Sequence, residues 1–178
     1  MLGAASGAVA GLVAITPAAG FVGPVSAILI GAVGGALCYS ACNLKSKLGY
    51  DDSLDVVGVH GVGGTWGAIA TGLFASRAVN EAGGDGLFFG NPGQVWTQIV
   101  AVAATFVLAG LLTWVILKVV DAVVGLRVTD EDEVAGLDLS QHSETAYAMG
   151  GGSYSEFASS GAFGEALRTA EAKARPAH

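Results

Sequence analysis

The stretch DDSLDVVGVHGVGGTWGAIATGLF, residues 51–74, is the most informative part of the sequence for the fold class. It contains an apolar, glycine-rich run from Val56 to Phe74, which is close to the length that a helix needs to cross the hydrocarbon core of a bilayer. Asp51, Asp52 and Ser53 introduce this run, and such residues can cap the free N–H groups at the start of a helix. The stretch therefore predicts a transmembrane helix over about residues 56–75.

Three further apolar runs flank this helix. They predict transmembrane helices over about residues 3–16, 25–44 and 95–124. Pro17 stops or kinks the first of them, and Pro24 opens the second. The predicted fold class is therefore all-α: a polytopic membrane helix bundle with about four transmembrane helices in residues 1–124.

The composition agrees with a membrane protein. Only 13% of the residues are charged, whereas an ordinary soluble domain has roughly 25%. Residues 1–44 and 86–117 contain no Asp, Glu, Lys or Arg at all, and the net charge of −7 is concentrated after Asp121. An acidic chain without a basic patch has nothing to pair with phosphates, so nucleic acid is excluded as a partner.

The basic residues predict an orientation. Lys45 and Lys47 lie between the second and third spans, Lys118 lies near the C-terminal end of the fourth and Arg127 follows it, and Arg77 is the one basic residue on the opposite side. By the positive-inside rule, the second connection and the C-terminal tail face the cytoplasm. We therefore expect a multi-pass protein of the cell membrane, in contact with lipid, with its C-terminus in the cytoplasm.

His60 is the residue in the third span that calls for an explanation. An ionisable side chain inside a membrane is expensive and is a functional candidate by default, although a structural histidine is the alternative. At helical spacing His60 shares a face with Val56, Gly63, Gly64 and Gly67. That face would present one imidazole between an apolar side chain and bare backbone, which predicts a narrow, mostly apolar conduit with one hydrogen-bonding station.

Cys38 and Cys42 lie four residues apart in an apolar run, where a thiol normally behaves as a small hydrophobic side chain. Without His or carboxylate neighbours they make a poor metal site. We also find no nucleophile–base pair or phosphate-binding loop. The sequence therefore predicts no metal, no cofactor and no enzymatic activity.

Three ordered motifs carry a family resemblance. The stretch at 51–74 closely resembles the tenth transmembrane segment of ammonium transporters of the Amt/Mep/Rh family, and GAVAGLVAITPA at 7–18 resembles the eighth. The motifs VGLRV, GLD and ETAY, at 124–128, 136–138 and 144–147, resemble the family's cytoplasmic tail. The likeness covers residues 2–147.

The resemblance implies an eleven-helix, channel-like protein, usually a homotrimer, with one hydrophobic pore in each subunit. The pore moves ammonium by deprotonating it and passing neutral ammonia. His60 would be one of two pore histidines, with Val56 on the pore wall one turn away. Asp52 and Asp55 match acidic positions at the cytoplasmic start of the helix, where helix capping and a transport role both remain open.

The resemblance also extends to the tail. Arg127 and Asp138 would belong to a cytoplasmic regulatory tail, residues 125–147, which in bacterial members can receive a PII-type signalling protein. Residues 148–178 depart from the family's common ending, and their start, rich in Gly, Ser and Ala, predicts a flexible extension.

The family's first seven helices, which carry the other pore histidine, have no counterpart in this chain. We therefore expect a fragment or a true truncation of a transporter. The first hypothesis is ammonium transport through a pore that includes His60. The alternative is a non-conducting membrane element that senses ammonium or binds a PII-type partner.

Overall fold

The structure is a computed structural model that describes residues 2–144 of the 178. The predicted extension at 148–178, and most of the ETAY motif, lie outside the described residues. The chain divides into two compact units, Met1–Ile116 and Leu117–His178, and each is described by itself below.

Over the described residues every regular element is helical, which confirms the all-α prediction. The helices are α1 Leu2–Ile15, α2 Pro24–Leu48, α3 Val62–Phe74, α4 Gly93–Val123, α5 Asp130–Ala135 and α6 Leu137–Ser140. Two 3₁₀ turns, Thr16–Ala18 and Leu87–Phe89, follow α1 and precede α4. A π-turn, Val57–Gly61, leads directly into α3.

Two of these helices, α2 and α4, are long and apolar enough to cross a membrane. The apolar segment Gly3–Ala18 is shorter, because Pro17 changes the helix into a 3₁₀ turn. The predicted third span corresponds to the π-turn followed by α3. Helix α2 starts at Pro24, as the sequence suggests, and ends at Leu48. The next residue, Gly49, has a φ of 70°, in the left-handed region that glycine adopts easily.

Helices α1, α2 and α3 pack around two small clusters of buried side chains. One cluster contains Ala14, Ala18, Ile30 and Ala70, and the indole Nε1 of Trp66 donates a hydrogen bond to the Ile30 carbonyl oxygen at 3.0 Å. Trp66 therefore ties α3 to α2, a role in helix packing. The second cluster contains Ala10, Cys38 and Val59.

Glycines allow these helices to touch through their backbones. A Cβ added at Gly67 would overlap the carbonyl of Ala14 in α1 and come within 2.9 Å of Pro17 Cδ. A Cβ added at Gly34 of α2 would overlap the side chain of Ala14 as well. Such close approach is how small residues promote helix association in lipid.

The loop after α3 closes one end of this unit. The backbone N–H of Ser76 donates to the carbonyl of Phe21 at 2.9 Å, and that of Gly86 donates to the carbonyl of Ala75 at 2.7 Å. The rings of Phe74 and Phe88 lie 5.0 Å apart in a tilted arrangement. These contacts hold the loop against the end of α3.

Many large apolar side chains on α1, α2 and α4 are exposed, and α4 has no buried residue among those described. A helix that is apolar all round is typical of a membrane span or of the interior of a larger assembly.

The second unit contains two short helices. The side-chain oxygen of Thr129 accepts a hydrogen bond from the backbone N–H of Asp132 at 3.2 Å and caps α5. Arg127 forms an ion pair with Glu133 at 3.1 Å. Gly136, with a φ of 93°, separates α5 from α6, and Asp138 lies in α6.

The contact at Gly67 can be tested by adding one methyl group. We expect Gly67→Ala to lower the free energy of unfolding by about 1–3 kcal/mol, because the new Cβ overlaps the backbone of α1. Thermal unfolding of the chain in detergent micelles, followed by circular dichroism, measures the change.

Gly64→Ala is the matched control, since nothing lies within 4 Å of a Cβ at that position. In a helix the alanine should be neutral or stabilising by up to about 1 kcal/mol. Equal losses in the two variants would show that the contact at Gly67 is not tight.

Candidate functional site

His60 lies on the π-turn, immediately before α3, and its side chain is exposed. Val56, one turn earlier, is 50% exposed, and the space beside Gly64, one turn later, is open. The imidazole therefore stands on an open, apolar surface of the first unit. π-turns are rare and are often found at functional sites.

The predicted face of the third span is only partly correct. Gly63 and Gly67, which we expected beside His60, are buried: Gly63 packs against Cys38 and Val13, and Gly67 packs against α1. The π-turn accounts for the error, because its extra residue rotates the face that precedes α3 relative to the face of α3 itself. Val56, His60 and Gly64 remain on accessible surface.

Asp52 caps the start of this helical segment. Its Oδ1 accepts a hydrogen bond from the backbone N–H of Val56 at 2.7 Å. Its Oδ2 accepts from the N–H groups of Val57 at 2.9 Å and Gly58 at 3.2 Å. One carboxylate thus satisfies three of the N–H groups that a helix start leaves without partners. The capping role left open for Asp52 is present in the geometry.

Asp55 is held by a lysine from the end of α2. The Nζ of Lys45 lies 2.5 Å from Asp55 Oδ1 and also donates to the carbonyl of Asp52 at 2.6 Å. Asp55 has a φ of 56°, a left-handed conformation that Asp tolerates better than most residues. Lys45 therefore fixes the turn that places Asp52 beneath the helix start.

Lys45 also sets the ionisation of Asp55. Its hydrogen bond, together with charge attraction, holds the pKa of Asp55 below the ordinary value, and partial desolvation opposes the shift. A side-chain hydrogen bond with the Cys42 thiol also lowers the pKa of Asp55. In the sequence, Lys45 indicates only the orientation of the spans. The run of acids that follows it after a short turn, at residues 51–55, could have suggested the pair.

The structure thus brings Asp52, Asp55, Val56 and His60 together within one continuous turn-and-helix segment. Arg127 and Asp138 lie in the second unit, each with interactions inside the described chain. Among residues 2–144 there is no group of three or more His, Cys, Asp or Glu side chains that could hold a metal ion.

Comparisons with known proteins agree on one family. A sequence profile described as the Ammonium Transporter Family matches residues 1–147. The chain is 60% identical to an ammonium transporter of Bacillus subtilis over 148 residues, covering 83% of this chain and 37% of that protein. It is 53% identical to ammonium transporter Amt1 of Archaeoglobus fulgidus over 146 residues, covering 82% and 37%.

Solved structures give the same result. Mep2 of Saccharomyces cerevisiae superposes with a TM-score of 0.65 at 40% identity, covering 71% of this chain and 30% of that one. Mep2 of Candida albicans superposes with a TM-score of 0.64 at 34% identity, covering 71% and 29%. The chain therefore spans about a third of the length of these relatives, and the predicted membrane helix bundle is confirmed.

The cap formed by Asp52 can be removed. We expect Asp52→Ala to lower the free energy of unfolding by about 1–2 kcal/mol, because three backbone N–H groups lose their acceptor. Asp52→Asn, which keeps one acceptor oxygen, should lose less. Thermal unfolding in detergent micelles measures both, with Asp51→Ala, an exposed neighbour, as control. A loss in Asp51→Ala as large as in Asp52→Ala would contradict the capping role.

The ion pair of Asp55 predicts a pH dependence. Since the folded-state pKa is lowered, the stabilisation by Lys45 is present above the unfolded-state pKa of about 3.9 and disappears as the pH falls through the lower folded-state value. We expect the wild-type chain to unfold at a higher temperature than Asp55→Asn at pH 7, and the difference to shrink progressively as the pH falls below about 4. Asn tolerates the left-handed backbone, so this variant isolates the charge. A difference that is constant from pH 7 to pH 3 would rule out the ion pair as its cause.

Proposed function

Because the chain belongs to the ammonium transporter family, we propose that it contributes one side of an ammonium path through the membrane, with His60 as its polar group and Val56 on its wall. The observation that carries the proposal is the position of the imidazole. His60 is exposed on the π-turn, and it is the one ionisable side chain between Val56 and Phe74.

The surroundings of His60 suit a neutral molecule better than a cation. Val56, Val57 and the open backbone at Gly64 offer apolar surface and few hydrogen-bonding groups. Moving a charged group to the middle of a bilayer costs several kcal/mol or more, depending on the scale. When ammonium loses a proton it becomes ammonia, which is neutral. A path with apolar walls therefore favours ammonia over ammonium.

An imidazole is the appropriate polar group for such a path. It has two distinct nitrogens, so one can accept a hydrogen bond while the other donates. A second imidazole from another part of the complete protein would extend this arrangement into a relay. No covalent step is required, which agrees with a transporter and not with an enzyme.

The proposal extends to the rest of the protein. We propose that the complete protein is a homotrimer in the cell membrane, surrounded by lipid, with its C-terminus in the cytoplasm. Asp52 and Asp55 would stand at the cytoplasmic start of the helix and hold it in place. The tail at 125–147, with Arg127 and Asp138, would be the regulatory segment and the contact site for a PII-type protein.

The test is methylammonium uptake in cells that lack their own ammonium transporters. One protein is the chain alone, and the second is the chain joined to the upstream part of the Bacillus subtilis relative. The joined protein is then made with His60→Ala and, as the matched control, with His178→Ala, a histidine that belongs neither to the proposed path nor to the tail at 125–147.

We expect uptake by the joined protein and no change in His178→Ala. In His60→Ala we expect uptake to decrease on the order of tenfold or more, since a positioned proton-transfer group commonly contributes at least that much. Uptake that does not depend on His60 would contradict its place in the path. No uptake by any membrane-inserted form would favour the non-conducting sensing or partner-binding alternative.

A further inference from the structure

The π-turn that carries His60 rests on two thiols of α2. Cys38 is buried, and its Sγ donates a hydrogen bond to the carbonyl oxygen of Val59 at 3.5 Å. Cys42 lies one helical turn further along α2, and a Cβ added at Gly58 would come within 2.7 Å of its Sγ. The two sulfur atoms therefore lie against the two residues that precede His60.

The backbone hydrogen bonds of the π-turn are irregular, so contacts with a neighbouring helix can stabilise it. The N–H of Val62 is shared between the carbonyls of Val57 and Val59, so the regular hydrogen-bond pattern of an α-helix is interrupted here. A rare backbone conformation persists when its surroundings hold it in place. Cys38 supplies a donor to one of the two carbonyls involved, from a different helix.

A thiol fits this position better than the alternatives. Sulfur is large enough to fill the space left by the bare backbone at Gly58 and Gly63, where a Cβ at Gly63 would come within 3.0 Å of Cys38 Sγ. As a weak donor, it can bond to a carbonyl without competing strongly with the backbone N–H. An alanine at position 38 would leave this space empty. A valine would fill the space but could not donate a hydrogen bond to the Val59 carbonyl.

We propose that Cys38 and Cys42 are positioning residues for His60. Their thiols hold the π-turn in place and so direct the imidazole toward the open surface beside Val56. They act through the backbone of Gly58 and Val59 and do not themselves contribute to the ammonium path. This inference rests on the proposed function of His60.

The first experiment observes the imidazole directly and does not require transport. The 178-residue chain contains three histidines, so NMR spectra of the ¹⁵N-histidine-labelled chain in lipid nanodiscs can be assigned by the signal lost in His60→Ala. Hydrogen exchange of the Val62 amide, measured on uniformly labelled chain, reports on the π-turn. The variants are Cys38→Ala, Cys42→Ala, Cys38→Ser and Cys38→Val.

We expect Cys38→Ala to displace the His60 signals and to speed exchange at Val62 on the order of tenfold, as when a buried hydrogen bond and the packing of one atom are lost together. Cys42→Ala should act in the same direction with a smaller effect, because Cys42 is only partly buried. Cys38→Ser, which keeps a donor, should stay closer to wild type than Cys38→Val.

Ile30→Val is the matched control, because it trims a fully buried side chain of α2 that belongs to the other cluster. It should leave the His60 signals unchanged. If Ile30→Val has the same effect as Cys38→Ala, the thiols only fill the core and the proposal is wrong. If the Cys38→Ala chain does not insert into nanodiscs, the His60 signals of Cys38→Ser and Cys38→Val are compared with those of the wild-type chain. His60 signals that are closer to wild type in Cys38→Val than in Cys38→Ser overturn the proposal.

The second experiment measures uptake by the protein joined to the Bacillus subtilis upstream part. Cys38→Ala should lower the maximal rate by about tenfold, within the 10²-fold that a misplacement of about 1 Å can cost, and Cys38→Ser should restore most of it. If uptake is the same with and without His60→Ala, the proposed function is rejected. The NMR experiment still tests separately whether the thiols position the imidazole.

Discussion

The close contact between the backbone of α3 and the helices α1 and α2 is the constraint on which the first unit depends. At Gly67 there is no room for a side chain, and at Gly63 a Cβ would be tight against the side chains of Cys38 and Val13. In lipid the hydrophobic effect does not drive helices together, so close packing and interhelical hydrogen bonds must do so. The bond from Trp66 to the Ile30 carbonyl adds such a hydrogen bond across the same contact. The positions of the π-turn and of His60, at the start of α3, depend on this packing.

The π-turn is held from two directions. On its polar side Asp52 accepts three backbone N–H groups, and Lys45 fixes the turn through Asp55. On its apolar side the thiols of α2 lie against the backbone. The start of a helix leaves N–H groups without intrahelical partners, and these groups need other acceptors. The Asp52 carboxylate accepts hydrogen bonds from these N–H groups, and the α2 thiols pack against the backbone of the π-turn.

The arrangement around His60 has few polar groups, and this suits the proposed transport of a neutral molecule. A cation path through a bilayer usually requires charged or carbonyl-lined walls. Here the accessible surface beside the imidazole is formed by valine side chains and glycine backbone. Selectivity would then depend on the removal of a proton and on the narrowness of the path, and the charged groups could stay at the polar end of the helix.

The sequence was sufficient to predict the all-helical class and the family, because apolar length, prolines and ordered motifs are local properties of the chain. It also indicated His60 and the acidic helix start. It was wrong about the face shared with Gly63 and Gly67, since a 3.6-residue period does not contain a π-turn. The π-turn and the exposed position of His60 are visible only in the tertiary structure, because the groups that contact this segment, Lys45 and the α2 thiols, come from a helix earlier in the chain.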